Sequence, residues 1–310
     1  KVIPGGLFIA LPGEHTDGHR FIGDAFSKGS KLAIVQQDLS GEYPVLDLVE
    51  TRLEPAPIIP TPPFCIHVAD SLKALQQIAR YWRRQLNLRV IGITGSVGKS
   101  STKELLAEML SHKFHTYKNP GNYNNEIGLP LTLLNMSPGH QYAVLEMGFY
   151  YPGEISFLCD IALPQIGIVT NIGTVHAERA GSQEEIVKGK TELVQALPTA
   201  PEGIALLNMD DALVRSMIPK TKARVVTYGT HADAEFWASG VIGKGLAGIE
   251  FDVHMPEGIE HFQSPLIGLH SVMTCLRSIA VCRLEGLSID EIRNGLADAQ
   301  SQLRTSVYRH

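Results

Sequence analysis

The chain lacks the features of a membrane or secreted protein. No apolar run reaches the roughly 18 residues that a membrane-spanning helix needs, and no charged-then-apolar leader opens the chain. Basic residues are not in excess, since 27 Lys and Arg stand against 32 Asp and Glu for a net charge of −5. The missing apolar run gives no support for membrane insertion. We also expect no nucleic-acid partner, because the chain has no general positive field that would attract nucleic acid or an anionic membrane surface.

Cysteine is scarce, and the four copies are scattered without a CxxC pair or a Cys/His cluster: Cys65, Cys159, Cys275 and Cys282. This spacing favours buried free thiols in a reducing compartment over disulfides or a zinc site. We therefore expect a cytoplasmic protein. We also expect a monomer. With 310 residues, of which 44% are apolar, the chain is long enough for two domains with substantial cores.

The most informative stretch is a glycine-containing turn between a strand pattern and a helix pattern. A β-branched, apolar run at 89–94 leads into Gly95-Ser96-Val97-Gly98-Lys99-Ser100-Ser101, and apolar residues at helical spacing follow. The loop amides, the helix N-terminus and Lys99 are suited to hold phosphate groups. The Ser100 hydroxyl stands where a phosphate-bound Mg²⁺ needs an oxygen ligand.

This stretch is not the strict GxxxxGK[ST] pattern, because Ile93 stands five residues before Gly98. The alternative is a glycine turn that merely joins strand to helix. Such a turn needs neither Lys nor Ser at these places. The sequence therefore predicts a site for a nucleoside triphosphate.

Other candidate residues follow the predicted strands. Glu146 ends an apolar strand at 142–147, where burial of a carboxylate needs a cation; Mg²⁺ is one candidate and a structural salt bridge the alternative. His176 follows a strand at 166–172, and on its own it is typical of a loop histidine. Lys190, inside a helix at 183–197 with acidic neighbours, is typical of a surface lysine.

Strand and helix patterns alternate along most of the chain. Residues 7–35 predict a small α/β unit, and a proline-rich connector follows at 54–63. Alternation from residue 89 onward predicts a mostly parallel sheet, and glycine-interrupted runs at 234–266 predict an antiparallel part. Further elements are predicted as a strand at 65–68 and helices at 72–84, 153–161, 210–217, 271–284 and 288–299. In the helix at 72–84 we expect a solvated basic face made by Arg80, Arg83 and Arg84.

Several segments together resemble the Mur ligase family, the ATP-dependent enzymes that add amino acids to the peptidoglycan precursor. The matching segments are Thr94–Ser100, Asn119–Thr132, Leu145–Gly148 with Pro152–Ile155, Thr170–His176, and Leu7–Glu14 with Asp17–His19. The run Asn124-Asn125-Glu126-Ile127-Gly128-Leu129-Pro130-Leu131-Thr132 is similar to the members that join D-Ala-D-Ala to UDP-MurNAc-tripeptide.

The resemblance implies an α/β fold with a small N-terminal α/β UDP-precursor-binding domain at 1–86 and a central P-loop ATPase domain at 87–304, with a mostly parallel sheet and a small antiparallel sheet. Residues 305–310 would begin a third domain. The implied reaction uses ATP to phosphorylate a substrate carboxylate, and an amine then attacks the acyl phosphate to form an amide.

The resemblance also implies roles for individual residues. Gly95 to Ser101 would hold the phosphates, Ser100 and Glu146 one Mg²⁺, and His176 a second Mg²⁺. Asn124, Asn125, Glu14 and His15 would lie near the precursor, and Lys190 matches the lysine that the family carbamylates, which adds a metal ligand.

Three departures from the family pattern leave other functions open. Val97 stands where the family usually has Asn, Ser271 and Thr274 replace two asparagines, and the chain stops about where the third domain begins, so we expect no ligase turnover from this stretch alone. We expect the natural N-terminus upstream of Lys1. The alternatives are a non-catalytic or regulatory homologue, a sister ligase that adds a different amino acid, and a nucleotide switch or kinase.

Overall fold

The computed structural model describes residues 2–13, 16–49, 58–173 and 182–298. The chain divides into two compact units, with the boundary between Tyr81 and Trp82. Within the described ranges, no helix combines the length and apolar character needed to cross a bilayer.

The first unit is the small α/β unit that the sequence predicts. Its four strands are all parallel and lie in the order β1-β2-β4-β3: β1 Leu7–Ile9, β2 Leu32–Val35, β3 Val45–Asp47 and β4 Phe64–His67. Helix α1, Ile22–Ser27, follows a 3₁₀ turn at Gly18–Phe21. Ile22 packs with buried residues of the strands, including Cys65, to form the core of this unit.

Helix α2, Ser71–Gln85, begins where the sequence predicts. The Asp70 carboxylate accepts a hydrogen bond from the Lys73 amide at 2.9 Å, which satisfies one of the free N–H groups of the first turn. Residues 58–63 of the proline-rich connector form neither helix nor strand, and the rest of the predicted connector that lies at 54–57 is outside the described residues.

The second unit is built on one nine-stranded sheet, in the order β13-β12-β11-β10-β9-β8-β5-β7-β6. Strands β5 to β11 are parallel, and β12 and β13 extend the same sheet in antiparallel pairing, which confirms both predicted parts. The strands are β5 Arg89–Thr94, β6 Thr116–Lys118, β7 Tyr142–Glu146, β8 Ile166–Val169, β9 Ile204–Asn208, β10 Arg224–Gly229, β11 Phe236–Gly243, β12 Ile249–Met255 and β13 Gly258–Ser264.

Helices cover both faces of this sheet. They are α3 Lys99–Ser111, α4 Gly128–Leu134, α5 Glu154–Ala162, α6 Gln183–Ala196, α7 Ala212–Arg215, α8 Ser271–Leu284 and α9 Ile289–Asp298. Ile91 and Ile93 of β5 belong to the core that includes α3 and α8, whereas Gly92 between them faces Leu193 of α6. Helix α9 begins with a reciprocal cap, since the Ser288 and Glu291 side chains each accept the other's amide.

The strand order places one crevice at the centre of the sheet. Strand β5 lies between β8 and β7. The chain places β6 and β7 on one side of β5 and then continues with β8 on its other side, so the strand order reverses at β5. Ligands of open parallel sheets bind at such a switch point, outside the carboxyl ends of the strands. Gly95, Glu146 and Thr170 stand at the ends of these three strands.

The basic face predicted on α2 is wrong for one of its three members. Arg83 is only 4% exposed, and its guanidinium donates hydrogen bonds to the carbonyls of Ala162 at 2.7 Å, Leu86 at 3.0 Å and Leu88 at 3.3 Å. Burial lowers the pKa of the Arg83 guanidinium, which nevertheless remains charged. Arg83 thus caps the carboxyl end of α5, where carbonyl groups lack partners within the helix.

Candidate active site

The turn after β5 needs glycine at both of its predicted positions. Gly95 has φ +141° and Gly98 has φ +85°, a backbone region that residues with a side chain rarely adopt. A Cβ atom on Gly95 would lie 1.9 Å from the Thr170 hydroxyl. The turn therefore packs directly against the end of β8, and α3 begins immediately after it, as predicted.

Residues after β8 hold this turn in place. The Ser96 and Val97 amides donate to the backbone and side-chain oxygens of Asn171, each at 2.9 Å, and the Thr170 hydroxyl donates to the Val97 carbonyl at 2.7 Å. The Ser96 hydroxyl accepts the Gly173 amide at 2.8 Å. The turn is thus fixed by the sheet before any ligand binds, with the N-terminus of α3 and its partial positive charge at its end.

Two lysines converge on the turn. Nζ of Lys99 and Nζ of Lys190 each donate to the Gly95 carbonyl at 2.9 Å. Lys190 is 2% exposed, so its interpretation as a surface residue is wrong. Burial, with a further contribution from the nearby Lys99 charge, lowers the pKa of Lys190 to about 7. Burial also lowers the pKa of Lys99, which the Glu146 carboxylate partly offsets.

Glu146 is buried and faces the turn from the end of β7. One carboxylate oxygen accepts the Ser100 hydroxyl at 2.7 Å, and the other accepts the Asn124 amide at 2.9 Å. The Asn119 side chain bonds both the amide and the carbonyl of Glu146, at 2.9 and 3.1 Å. Glu146 makes no ion pair within 4 Å among the described residues, so the structural salt bridge is not supported.

A cavity of about 130 Å³ joins most of the predicted side chains. Its lining includes Lys99, Asn124, Asn125, Glu146 and Lys190. The remaining walls are largely aromatic and acidic: Glu126, Phe149, Tyr150, Glu154 and Phe157. A polyanion and a carboxylate substrate could meet here, beside the two lysine side chains.

Other predicted residues have more local positions. The Asn125 side chain accepts the Gly128 amide at 2.9 Å, so it caps α4 while it lines the cavity. Ser101 lies in the first turn of α3, and the Val97 side chain is exposed. Glu14, His15 and His176 lie outside the described residues, and their assignments stay predictions.

The oxygen donors fit Mg²⁺ of the kind that is bound together with phosphate. The Ser100 hydroxyl and the Glu146 carboxylate are adjacent hard ligands, and Mg²⁺ commonly takes one or two protein oxygens, with phosphates and waters for the rest. The described part of the chain holds no group of three His, Cys, Asp or Glu side chains that could bind a metal on its own.

Sequence reasoning missed several residues that support the site. Asn119, Thr170 and Asn171 lie in segments that match the family, but the sequence assigns none of them a role. Arg277, in α8, was not singled out, yet its guanidinium reaches the Gly98 carbonyl. An arginine in the middle of a helix of apolar and small residues is the signal that could have found it, because such a charge is buried only with hydrogen-bond partners.

Fold and site together define an α/β protein with a glycine turn at a topological switch point of its sheet. The model of the Mur ligase middle domain matches residues 93–282. This range contains the turn, Glu146 and Lys190. The chain belongs to the Mur ligase family.

Curated relatives carry a more particular name. The chain is 37% identical to a UDP-N-acetylmuramoyl-tripeptide–D-alanyl-D-alanine ligase of Synechocystis sp., over 96% of the chain and 59% of the relative. Ligases of the same name from Bacillus subtilis and Escherichia coli are 35% and 33% identical, over 94% and 97% of the chain and 58% and 62% of their own lengths. The chain thus spans about 60% of the length of these relatives.

Solved structures agree. MurF from Acinetobacter baumannii superposes with a TM-score of 0.82 at 30% identity, over 96% of the chain and 60% of that structure. The MurF ligase of Thermotoga maritima, solved in complex with ADP, gives a TM-score of 0.79 at 27% identity, over 96% of the chain and 64% of that structure. The resemblance to the Mur ligase family is therefore confirmed.

Proposed function

We propose that the protein is an ATP-dependent ligase that joins D-Ala-D-Ala to UDP-MurNAc-tripeptide, as the names of its relatives state for them. The observation that carries the proposal is the convergence of Lys99, Ser100, Glu146 and Lys190 around the glycine turn after β5. The same cavity holds Asn124, which belongs to the segment typical of this type of ligase.

In the proposed reaction a carboxylate oxygen of the tripeptide attacks the terminal phosphorus of ATP, and ADP leaves. The amine of D-Ala-D-Ala then attacks the carbonyl carbon of the acyl phosphate and forms the C–N bond of the amide. The bond between this carbon and the phosphate oxygen breaks, inorganic phosphate leaves, and the nitrogen loses a proton. This chemistry depends on positioning and on neutralising negative charge in a site that excludes water. Because the Ser96 and Val97 amides are already bonded to Asn171, the amides at the start of α3 and the Lys99 side chain would bind the phosphates. Lys190 lines the same cavity as Lys99.

Ser100 and Glu146 would hold Mg²⁺, which when bound neutralises the phosphate oxygens and orients them. Their hydrogen bond keeps both oxygens adjacent. The Asn124 side-chain amide donates to the other carboxylate oxygen and so fixes the orientation of the carboxylate, with its Oε2 toward Ser100. We also propose His176 as a ligand of a second Mg²⁺, by the resemblance alone.

We propose that Lys190 reacts with CO₂ to form a carbamate in the active enzyme. A buried amine with a pKa of about 7 is largely neutral in mildly alkaline solution and can act as the nucleophile. The neutral amine nitrogen attacks the carbon of CO₂, an N–C bond forms as one C=O π bond opens, and the nitrogen releases one proton. Counted from the ammonium form, two protons are released in total and the charge at this site changes from +1 to −1. The resulting oxygens are ligands that a hard cation prefers.

The carbamate is tested by NMR after the full-length gene product is incubated with ¹³C-labelled bicarbonate. We expect a carbamate carbon signal in the wild type and in Lys188→Ala, whose side chain is 68% exposed two residues away. We expect no such signal and no activity in Lys190→Ala, with partial rescue of activity by short carboxylic acids. Full activity of Lys190→Ala would exclude the carbamate.

The ligase reaction is tested by phosphate release from ATP with the full-length gene product. We expect release only when UDP-MurNAc-tripeptide and D-Ala-D-Ala are both present. Release with a different amino acid in place of the dipeptide would identify a sister ligase. No release in any combination, despite ATP binding, would favour a regulatory homologue.

The regulatory alternative has one structural observation in its favour. The Thr274 hydroxyl accepts a hydrogen bond from Arg277 at 2.8 Å, and the Ser271 hydroxyl donates to the Ile267 carbonyl at 2.9 Å. Both side chains that replace family asparagines are thus used inside the protein. A homologue that binds nucleotide without turnover would bind ATP in calorimetry yet release no phosphate with both substrates.

We extend the proposal to the domains and the setting of the protein. Residues 1–86, with Glu14 and His15, would bind the UDP part of the precursor, and 87–304 would bind ATP. The protein would be a cytoplasmic monomer. Binding of UDP-MurNAc-tripeptide that weakens in a Glu14→Ala, His15→Ala double variant, and a monomeric mass in light scattering, would support these points.

A further inference from the structure

Arg277 is a buried cation beside the phosphate-binding turn. It lies in α8, and the residue is 4% exposed. Its Nε donates to the Thr102 hydroxyl at 2.5 Å, and its Nη2 donates to the Thr274 hydroxyl at 2.8 Å and the Gly98 carbonyl at 3.3 Å. All three acceptors are uncharged oxygens.

Among the described residues, no carboxylate forms an ion pair with Arg277. Arg283, in the last turn of the same helix, shows the usual arrangement: its side chain is 25% exposed and pairs with Glu257 at 2.7 Å. A guanidinium keeps its charge in proteins, and Arg277, like the buried Arg83, meets that charge with uncharged oxygens. Arg277 therefore adds a positive charge that the surrounding side chains do not directly neutralise.

Arg277 contacts the Gly98 carbonyl both directly and through the Thr102 hydroxyl. The Gly98 oxygen accepts the Thr102 amide at 3.0 Å, the Thr102 hydroxyl at 2.6 Å and Nη2 of Arg277 at 3.3 Å. Because the peptide bond between Gly98 and Lys99 is planar and trans, its N–H points opposite to its C=O. The Gly98 carbonyl points along α3, toward Thr102, so holding it there keeps the Lys99 amide pointing the opposite way, out of the N-terminus of α3.

We propose that Arg277 is a positioning residue for the nucleotide phosphates, an inference that rests on the proposed ATP-dependent function. Its guanidinium holds the peptide between Gly98 and Lys99 in the orientation that presents the Lys99 amide. Its charge also polarises this peptide and raises the positive potential of the turn, in addition to Lys99 and Lys190. Thr102 and Thr274 hold the guanidinium in place, so α8 and the turn act as one phosphate-binding unit.

The test separates the charge of Arg277 from its hydrogen bonds. Arg277→Gln keeps a donor and loses the charge, whereas Arg277→Lys keeps the charge. The matched control is Arg283→Gln on the same helix. Calorimetry on the full chain measures binding of ATP, ADP and adenosine, because adenosine carries no phosphate and so reports the rest of the nucleotide contacts.

We expect Arg277→Gln to bind ATP about tenfold more weakly, a factor equal to about 1.4 kcal/mol. Adenosine binding should change less than about twofold, and Arg277→Lys should stay within about threefold of the wild type for ATP. In phosphate-release assays of the full-length gene product, KM for ATP should rise while kcat changes little, as for a contact made equally in ground and transition states. Arg283→Gln should match the wild type.

Two outcomes would overturn the role of Arg277: equal ATP affinity in the wild type and Arg277→Gln, or an equal loss of ATP and adenosine binding, which indicates general structural damage. If Arg277→Gln does not fold, Thr274→Val tests the same contact, because it removes one hydrogen-bond acceptor of the guanidinium. We expect Thr274→Val to weaken ATP binding more than adenosine binding. An equal effect on both would overturn the proposal. A wild-type chain that binds no ATP would instead refute the proposed function, and this inference with it.

Discussion

Lys99 and Lys190 donate to the same backbone oxygen, that of Gly95, at 2.9 Å each. Two ammonium groups on one carbonyl repel each other, and this repulsion adds to burial in lowering the pKa of Lys190. An anion near the Gly95 carbonyl would relieve the repulsion. The pair therefore shows where negative charge is expected, on the side of the turn that opens into the cavity.

Replacement of Lys99 by Ala should remove most of the affinity for ATP. A charge-assisted contact to phosphate in a partly desolvated site contributes roughly 1.5–3 kcal/mol, which corresponds to roughly 10- to 150-fold in the dissociation constant. Calorimetry of the full chain measures the change, with Lys188→Ala as a control that should bind like the wild type. Unchanged ATP binding in Lys99→Ala would refute the phosphate assignment of the turn.

Replacement of Glu146 by Gln should uncouple ATP binding from Mg²⁺. The amide can still accept the Ser100 hydroxyl, but it lacks the charge that a divalent cation requires. We expect the Mg²⁺ concentration needed for tight ATP binding to rise by at least about tenfold, since even loss of an outer partner of a metal ligand costs about 10- to 100-fold. Mg²⁺ titrations at fixed ATP measure this, and Glu235→Gln, a surface member of an ion pair with Arg224, serves as the control.

The parts of the fold that sequence patterns predicted are those with a strong period. Strand β5 and helix α8 lie where predicted, because a β-branched run and an apolar helix leave little choice. Strand β6 and helix α4 were missed. β6 has three residues at a sheet edge, and α4 begins with glycine, contains Pro130 and depends on the Asn125 cap, so neither has a periodic signal.

The site divides in the same way. Lys99 and Ser100 follow from local chemistry, because a glycine turn before a helix explains them without the rest of the chain. Lys190 and Arg277 do not. Acidic neighbours on α6 describe the outer face of that helix, whereas the inner face is set by contact with the Gly95 turn, which is distant in sequence. Only the family resemblance pointed to Lys190, and Arg277 required the packing of α8 against α3.

Arg83 and Arg84 are neighbours in sequence with opposite surroundings, so they form a matched pair for stability. Arg83→Met would leave two buried carbonyls without their donor, that of Ala162 at the end of α5 and that of Leu86 just after α2, and each unsatisfied group costs about 1–3 kcal/mol. We expect a total loss of about 3 kcal/mol, against less than about 0.5 kcal/mol for the exposed Arg84→Met. Urea unfolding followed by tryptophan fluorescence reports on the second unit, which contains both Trp82 and Trp237. Equal stability of the two variants would show that the cap is dispensable.

The depressed pKa of Lys190 predicts a specific pH dependence of stability. The pKa is about 7 in the folded protein and takes the ordinary value of 10.5 in the unfolded chain. Between these values the unfolded chain binds a proton that the folded protein does not, so the free energy of unfolding rises with pH. The slope from this group is at most about 1.4 kcal/mol per pH unit, and below about pH 7 the full cost of burying the ammonium remains.

Lys190→Met removes this titration without emptying the space that the side chain fills. The free energy of unfolding of Lys190→Met should exceed that of the wild type by the largest margin near pH 7. This margin should shrink as pH rises to about 9.5. The reason is that folding of the wild type requires a neutral amine, and removing its proton costs less free energy as the pH approaches the pKa of the unfolded chain. Urea unfolding in CO₂-depleted buffers from about pH 6.5 to about pH 9.5 measures the difference, and depletion keeps carbamate formation from adding to it. Lys188→Met, on the exposed face of the same helix, should show no such trend. If the difference in free energy of unfolding between the wild type and Lys190→Met stays constant with pH, Lys190 keeps its ordinary pKa in the folded protein. A lysine with the ordinary pKa remains an ammonium near neutral pH and could not serve as the amine that captures CO₂.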